Sequence, residues 1–160
     1  MSIKDAIIRH HRGWDYLKNT LGSPRGLLFF ELRSKTGFTF GEPQRIDAFH
    51  IDDTPSKGLR RTAYEIKVSR SDFLAEVRNP VKRRFAVSMS NEFYFIAPPG
   101  IIGIEEVPLE CGLIEVDGND WEYVVKAPWR DSARPTWIFV AAIARALRHQ
   151  YEIITRTVED

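Results

Sequence analysis

Arg61-Thr62-Ala63-Tyr64-Glu65-Ile66-Lys67-Val68-Ser69-Arg70-Ser71 is the stretch on which the reading of the chain turns. In an extended strand successive side chains point to opposite faces, so Tyr64, Ile66 and Val68 share one face while Glu65, Lys67 and Ser69 share the other. A carboxylate and an ammonium then lie side by side. Such a pair suits metal-assisted hydrolysis, the acid holding a divalent cation and the lysine standing beside the attacked phosphate or the attacking water. Spacing alone is weak support, because 22 acidic residues in 160, with lysine at its frequency here, give about one acid-x-Lys by chance. The surroundings must carry the case.

Downstream, Ser69 followed by Asp72 makes a capping-box start for a helix containing Phe73, Leu74 and Val77. Asn79-Pro80 interrupts it, and since the residue before proline avoids the helical region, Asn79 reads as the cap of a second helix through Val81, Phe85 and Met89. The cations Arg78, Lys82, Arg83 and Arg84 lie here. They form either a solvated helix face or, with Ser69 and Arg70, a set of nucleic-acid phosphate contacts.

Upstream, Arg45-Ile46-Asp47-Ala48-Phe49-His50-Ile51 belongs to a strand pattern that begins at Phe38. Aspartate is disfavoured in strands and costly to bury alone, so Asp47 wants a metal or a cation such as Arg45 or Lys67. The segment 52–58 reads as a loop, and antiparallel pairing of the strands on either side brings Asp47 towards Glu65. Before it, Ser23-Pro24 offers the start of a helix with Leu27, Leu28, Phe30 and Glu31, stopped at Gly37. Glu31, among apolar neighbours, either reaches solvent at the helix edge or points into a site. An N-terminal helix is expected from Ser2 and Asp5 through Ile7, Ile8, Trp14, Leu17 and Leu21 to Gly22, with Gly13 a place where it divides.

Towards the C-terminus, Phe93 to Ala97 is a buried strand ended by Pro98-Pro99-Gly100, and the segments 113–116 and 121–126 form a hairpin about Asp117-Gly118-Asn119-Asp120. A final helix over 135–154 places Trp137, Val140, Ala141, Ala144, Leu147 and Tyr151 on its packed face, leaving Arg145 and Arg148 in solvent.

At 160 residues, 43% hydrophobic, with no repeat or biased segment, one domain over 1–160 is expected. A net charge of +1 neither requires nor excludes a nucleic-acid partner. No cleavable leader and no run of about 18 apolar residues occurs, so a cytoplasmic protein without membrane contact is expected. The lone Cys111 fits a reducing compartment and a buried position. His10, His11, His50 and His149 lack zinc-site spacing, and no Gly-x-Ser-x-Gly elbow or phosphate-binding glycine loop is present.

The order of Leu27 to Glu31, Arg45 to Ala48, Glu65 to Phe73 and Phe93 to Pro98 resembles the PD-(D/E)XK nuclease superfamily, and is similar to small phage and bacterial members related to the MmcB-like DNA repair group. The likeness covers roughly residues 24–116, with Ile46-Asp47 where the superfamily name has Pro-Asp. It implies an α/β (α+β) fold, a restriction-endonuclease-like mixed β-sheet flanked by helices, to which this chain adds a C-terminal hairpin and helix. It also implies that Asp47, Glu65 and the Ile66 backbone carbonyl hold Mg2+ or Mn2+, that Glu31 assists through a second metal or a bridging water, and that Lys67 positions or activates the water. A metal-dependent deoxyribonuclease of DNA repair, recombination or phage DNA metabolism follows, with DNA as partner. The alternative is a nucleic-acid-binding or assembly module that keeps the fold without turnover. The motifs dictate neither endo nor exo cleavage, nor a monomer over a homodimer.

Overall fold

In a computed structural model of the chain, residues 1–12, 14–15, 20–21, 25–35 and 44–159 are described, without the side chains of 14–15, 20–21, 151 and 153–159. Helix α1 (Ile3–Arg12) starts where Ser2 and Asp5 satisfy each other: the Ser2 N–H donates to Asp5 Oδ2 at 2.9 Å and the Asp5 N–H donates to Ser2 Oγ at 3.2 Å. It ends at Arg12, earlier than the apolar spacing through Leu21 implies, because β1 (Trp14–Asp15) pairs antiparallel with β2 (Thr20–Leu21). Gly13, Leu17 and Gly22 lie outside the described residues.

The main sheet is built from β3 (Leu27–Arg33), β4 (Arg45–Ile51), β5 (Arg61–Ile66), β6 (Glu92–Ala97), β7 (Gly112–Asp117) and β8 (Asp120–Val125), side by side in that order. Helices α2 (Arg70–Arg78) and α3 (Val81–Met89) carry the chain from β5 to β6, which makes that pair parallel. The β6–β7 pair is also parallel and the other neighbours are antiparallel, so the sheet is mixed and the expected α+β architecture is present. The 113–116 and 121–126 segments form the expected hairpin, β7 with β8. A helix boundary falls at Asn79-Pro80 as expected, but Asn79 is the C-cap of α2 and Pro80, not Asn79, is the N-cap of α3.

One expected helix is a strand. Leu27 to Arg33 forms β3, the sheet edge, paired with β4 from Leu27 opposite Ile51 to Arg33 opposite Arg45. Gly37, the expected helix stop, and the segment 36–43 lie outside the described residues.

The sheet separates two apolar layers. Phe29, Phe49, Phe73, Phe93, Phe95, Leu113 and Phe139 are buried on the side of α2, α3 and α4 (Trp137–Glu159). On the other side Ile7 of α1 packs with Tyr64, Tyr94, Ile96 and Ile114. Each large side chain so buried contributes about 1.5–3 kcal/mol, which fixes the register of the central strands. Gly112 has no room for a side chain, since a Cβ there would stand 2.4 Å from the Tyr94 ring. The packed stripe of α4 is Phe139, Ala142, Ile143 and Ala146; Trp137, expected on it, is 86% exposed, Ala141, Ala144 and Leu147 are exposed as well, and the Tyr151 side chain is outside the described residues. No helix among the described residues is long and apolar enough to cross a membrane.

Candidate active site

The β4–β5 ladder sets Ala48 opposite Tyr64, so the next step places Asp47 beside Glu65. Asp47 Oδ2 accepts the Ile66 N–H at 2.9 Å, and among the described residues its other carboxylate oxygen makes no hydrogen bond. Beyond the last residue of β5 the ladder extends by one bond, Lys67 N–H to the Ile96 carbonyl at 3.0 Å. Alternation then puts Glu65 and Lys67 on the same face, away from Tyr64 and Ile66. Asp47, Glu65, Ile66 and Lys67 all line one cavity of about 530 Å3.

Lys67 is almost closed to solvent, and three acids surround its ammonium. Glu65 Oε1 stands at 2.9 Å, Glu76 Oε2 at 3.4 Å and Asp72 Oδ2 at 3.6 Å from Nζ. The two helical acids reach it because Ser69 caps α2, its Oγ accepting the Asp72 N–H at 3.2 Å, and because residues four apart share a helix face. Phe73 on that turn goes into the core. Sequence reasoning missed Glu76; its signal was only that it falls one turn after Asp72, on the side of the helix towards Lys67.

Burial pushes the Glu65 carboxyl up to about 7, the nearby Asp47 charge adding to it and the Lys67 contact opposing it. Asp47 is raised as well, by burial first, against the Ile66 hydrogen bond, with Glu31 adding repulsion. For Lys67 burial opposes the charge, yet the hydrogen bond to Glu65 and the charges of Glu65, Glu76 and Asp72 outweigh it and the net shift is upward. Two crowded carboxyls and a lysine held charged form an arrangement that a divalent cation would relax by taking up the excess negative charge. The donors fit Mg2+ or Mn2+: hard oxygens, with Asp47 and Glu65 among the four carboxylates that line the cavity. Among the described residues no three His, Cys, Asp or Glu side chains form a ready-made ligand group, and a Mg2+ site completed by waters and a substrate phosphate does not need one.

Glu31 is set differently from the helical position expected. It lies in β3 with φ of 55°, a left-handed backbone that strand residues avoid and that costs about 1–3 kcal/mol for a residue with a Cβ. The kink lets Phe29 and Leu32, three residues apart, both enter the same core, and their burial offsets the strain. It leaves the Glu31 carboxylate outside, where it accepts from Lys4 Nζ at 3.2 Å and forms an ion pair with Arg45, whose Nε is 2.8 Å away. Arg45 lines the cavity of Asp47 and Glu65; Glu31 lines a separate groove between β3 and α4.

The six proposed phosphate contacts divide. Arg83 is buried, its guanidinium bonded to Glu110 Oε1 at 2.8 Å, so it braces α3 and is not open to a phosphate. Arg70 is exposed but engaged by both Glu106 oxygens at 2.6 and 2.8 Å, and Ser69 is occupied as a cap. Arg78, Lys82 and Arg84 are exposed, and Lys82 lines the candidate cavity.

Three histidines gather at the opposite end of β4 and β5. His11 stacks on His50 with centroids 3.6 Å apart and shares a 2.9 Å hydrogen bond with the Tyr64 hydroxyl, while His10 stacks on Trp121 at 4.1 Å. Burial, with His50 and His10 beside it, holds His11 down to about 2, so the rings dock α1 as neutral groups. His149 is exposed in the groove beside β3.

No protein-family model matches the chain, and no curated protein matches it. Among solved structures it is similar to a protein of unknown function from Silicibacter pomeroyi, at 21% identity and a TM-score of 0.58 over 85% of this chain and 81% of the other. That likeness shows that the mixed sheet and its helices recur as a fold in a second protein.

Proposed function

We propose that the chain is a metal-dependent nuclease that hydrolyses DNA phosphodiester bonds. The observation that supports this most is the meeting of Asp47 and Glu65, both with raised proton affinity, in one cavity beside a buried, charged Lys67. Asp47, Glu65 and the Ile66 carbonyl would hold Mg2+ or Mn2+, which when bound polarises a phosphate oxygen and acidifies a water. Lys67 is held by Glu76 and Asp72 at the end of β5, where its ammonium orients the attacking water and offsets charge developing on the phosphoryl oxygens. Ile66 N–H fixes the Asp47 carboxylate, so the acid is oriented before substrate arrives. Lys82 at the cavity rim supplies a positive charge for the DNA backbone. The single cysteine, Cys111, is free and buried, in keeping with the proposed reducing, cytoplasmic setting.

Incubation of plasmid, linear and branched DNA with Mg2+ or Mn2+ tests the reading, with Glu65→Ala and Lys67→Ala alongside. Cleavage by the wild type that both variants lose, while salt-sensitive binding persists, supports the nuclease. Absence of wild-type cleavage on all three substrates, with binding retained, leaves a DNA-binding module on the same fold.

A further inference from the structure

We propose that Arg45 is the residue that grips the backbone phosphate at this site, and that Glu31 acts on it as a positioning residue rather than as a metal ligand; the inference rests on the nuclease reading above. Arg45 begins β4 two residues before Asp47 and lines the same cavity as Asp47, Glu65 and Lys67. Its Nε stands 2.8 Å from Glu31 Oε2 in an ion pair, and among the described residues its guanidinium makes no hydrogen bond and no other ion pair. With Glu31 paired on its Nε side, the guanidinium keeps its two terminal nitrogens for an outside acceptor, and a planar pair of donors matches two phosphate oxygens.

Glu31 occupies an unusual place to do this. Its backbone is left-handed, the kink turns the carboxylate out of the sheet edge, and Lys4 of α1 holds it from the other side at 3.2 Å. All three partners are more than two-fifths exposed, a setting in which ion pairs add little to stability. Orientation of Arg45 is therefore the larger consequence of the Lys4–Glu31–Arg45 chain. With both oxygens taken by cations, Glu31 also has less to offer a metal than Asp47, whose second oxygen is open.

The test measures cleavage of a fluorescent duplex by wild type, Arg45→Ala, Arg45→Lys, Glu31→Gln and the double variant Arg45→Ala/Glu31→Gln. Binding of the same duplex is followed against salt without divalent cation. Arg45→Ala should lower kcat/KM by about 10- to 100-fold, as loss of a bidentate phosphate contact does, and reduce the salt slope of binding by about 1. Arg45→Lys should recover little, since one ammonium lacks the fork. Glu31→Gln should raise KM severalfold in the wild type and add nothing once Arg45 is absent, the coupling expected of a residue acting through another. Melting temperatures should stay within a few degrees of wild type. An Arg45→Ala protein with wild-type kcat/KM and an unchanged salt slope overturns the proposal, as does Glu31→Gln abolishing bound Mn2+. A wild type that cuts nothing, with the salt slope still falling in Arg45→Ala, removes the nuclease reading and leaves Arg45 as a phosphate contact.

Discussion

Lys67 Nζ lies 3.4 Å from Glu76 Oε2, and the two side chains are 4% and 7% exposed. A charge pair this enclosed is costly to break from one side, because the survivor stays buried without its partner. Glu76→Leu should therefore destabilise the fold by about 2–4 kcal/mol in urea unfolding, less than for an isolated pair since Glu65 and Asp72 remain near the lysine. Glu76→Gln, which keeps the shape, should cost about 1 kcal/mol and lower the proton affinity of Lys67. Followed by heteronuclear NMR of the Lys67 side chain without divalent cation, the deprotonation midpoint should move to lower pH, and a midpoint identical to the wild type would show that Glu76 does not hold the lysine.

Glu65 gives a pH signature with a definite sign. Its carboxyl sits at about 7 in the fold against 4.5 when unperturbed, so between these values the folded state binds more protons than the unfolded chain. Stability from this group is present at low pH and is lost as pH rises from about 4.5 to 7. His11 acts oppositely, because its depressed value means that its contribution is lost as pH falls below 6.5. Glu65→Gln should remove the first effect alone. Its unfolding free energy, measured from pH 4.5 to 7 without divalent cation, should rise with pH more steeply than wild type, by at most about 1.4 kcal/mol per pH unit. Parallel profiles would mean that Glu65 titrates at an ordinary carboxylate value.

Arg83 and its exposed neighbours should separate stability from binding. Arg83→Ala leaves the half-exposed Glu110 without its partner and empties a buried position, so the unfolding free energy should fall by about 1–3 kcal/mol. Lys82→Ala and Arg84→Ala should change it by less than about 0.5 kcal/mol. Of these two, Lys82→Ala should weaken DNA binding in a salt-dependent way because it lines the cavity. Equal loss of binding in Arg83→Ala and Lys82→Ala, with both proteins fully folded, would contradict this division.

Local pattern made part of the site legible. Alternation along Arg61 to Lys67 sets Glu65 and Lys67 on one face, the Ser69 cap forms as its spacing implies, and antiparallel pairing brings Asp47 beside Glu65. The misread strand has a physical reason. The left-handed Glu31 shifts the phase of β3, so Phe29 and Leu32 are buried three residues apart, a spacing that belongs to helices. Leu27 to Phe30 is apolar throughout and satisfies either period, and Ser23-Pro24 tips it towards a helix. On α4 the weight given to Trp137 rotated the stripe, since a large aromatic counts as core in the text and stands in solvent in the fold. The buried charge of Arg83 depends on a partner distant in the chain, Glu110, a relation that no local period encodes, whereas Glu76 meets Lys67 through the helical spacing from Asp72.

Mn2+ titration followed by electron paramagnetic resonance at pH 8, above the value of about 7 to which the Glu65 carboxyl is raised, tests the cavity of Asp47 and Glu65 most directly. One bound ion per chain is expected in the wild type, with binding weakened at least about 10-fold in Asp47→Asn and in Glu65→Gln, each variant having lost a charged oxygen donor. A wild type that binds no Mn2+, or variants that bind it as tightly as the wild type, would contradict a metal-dependent site between these two acids.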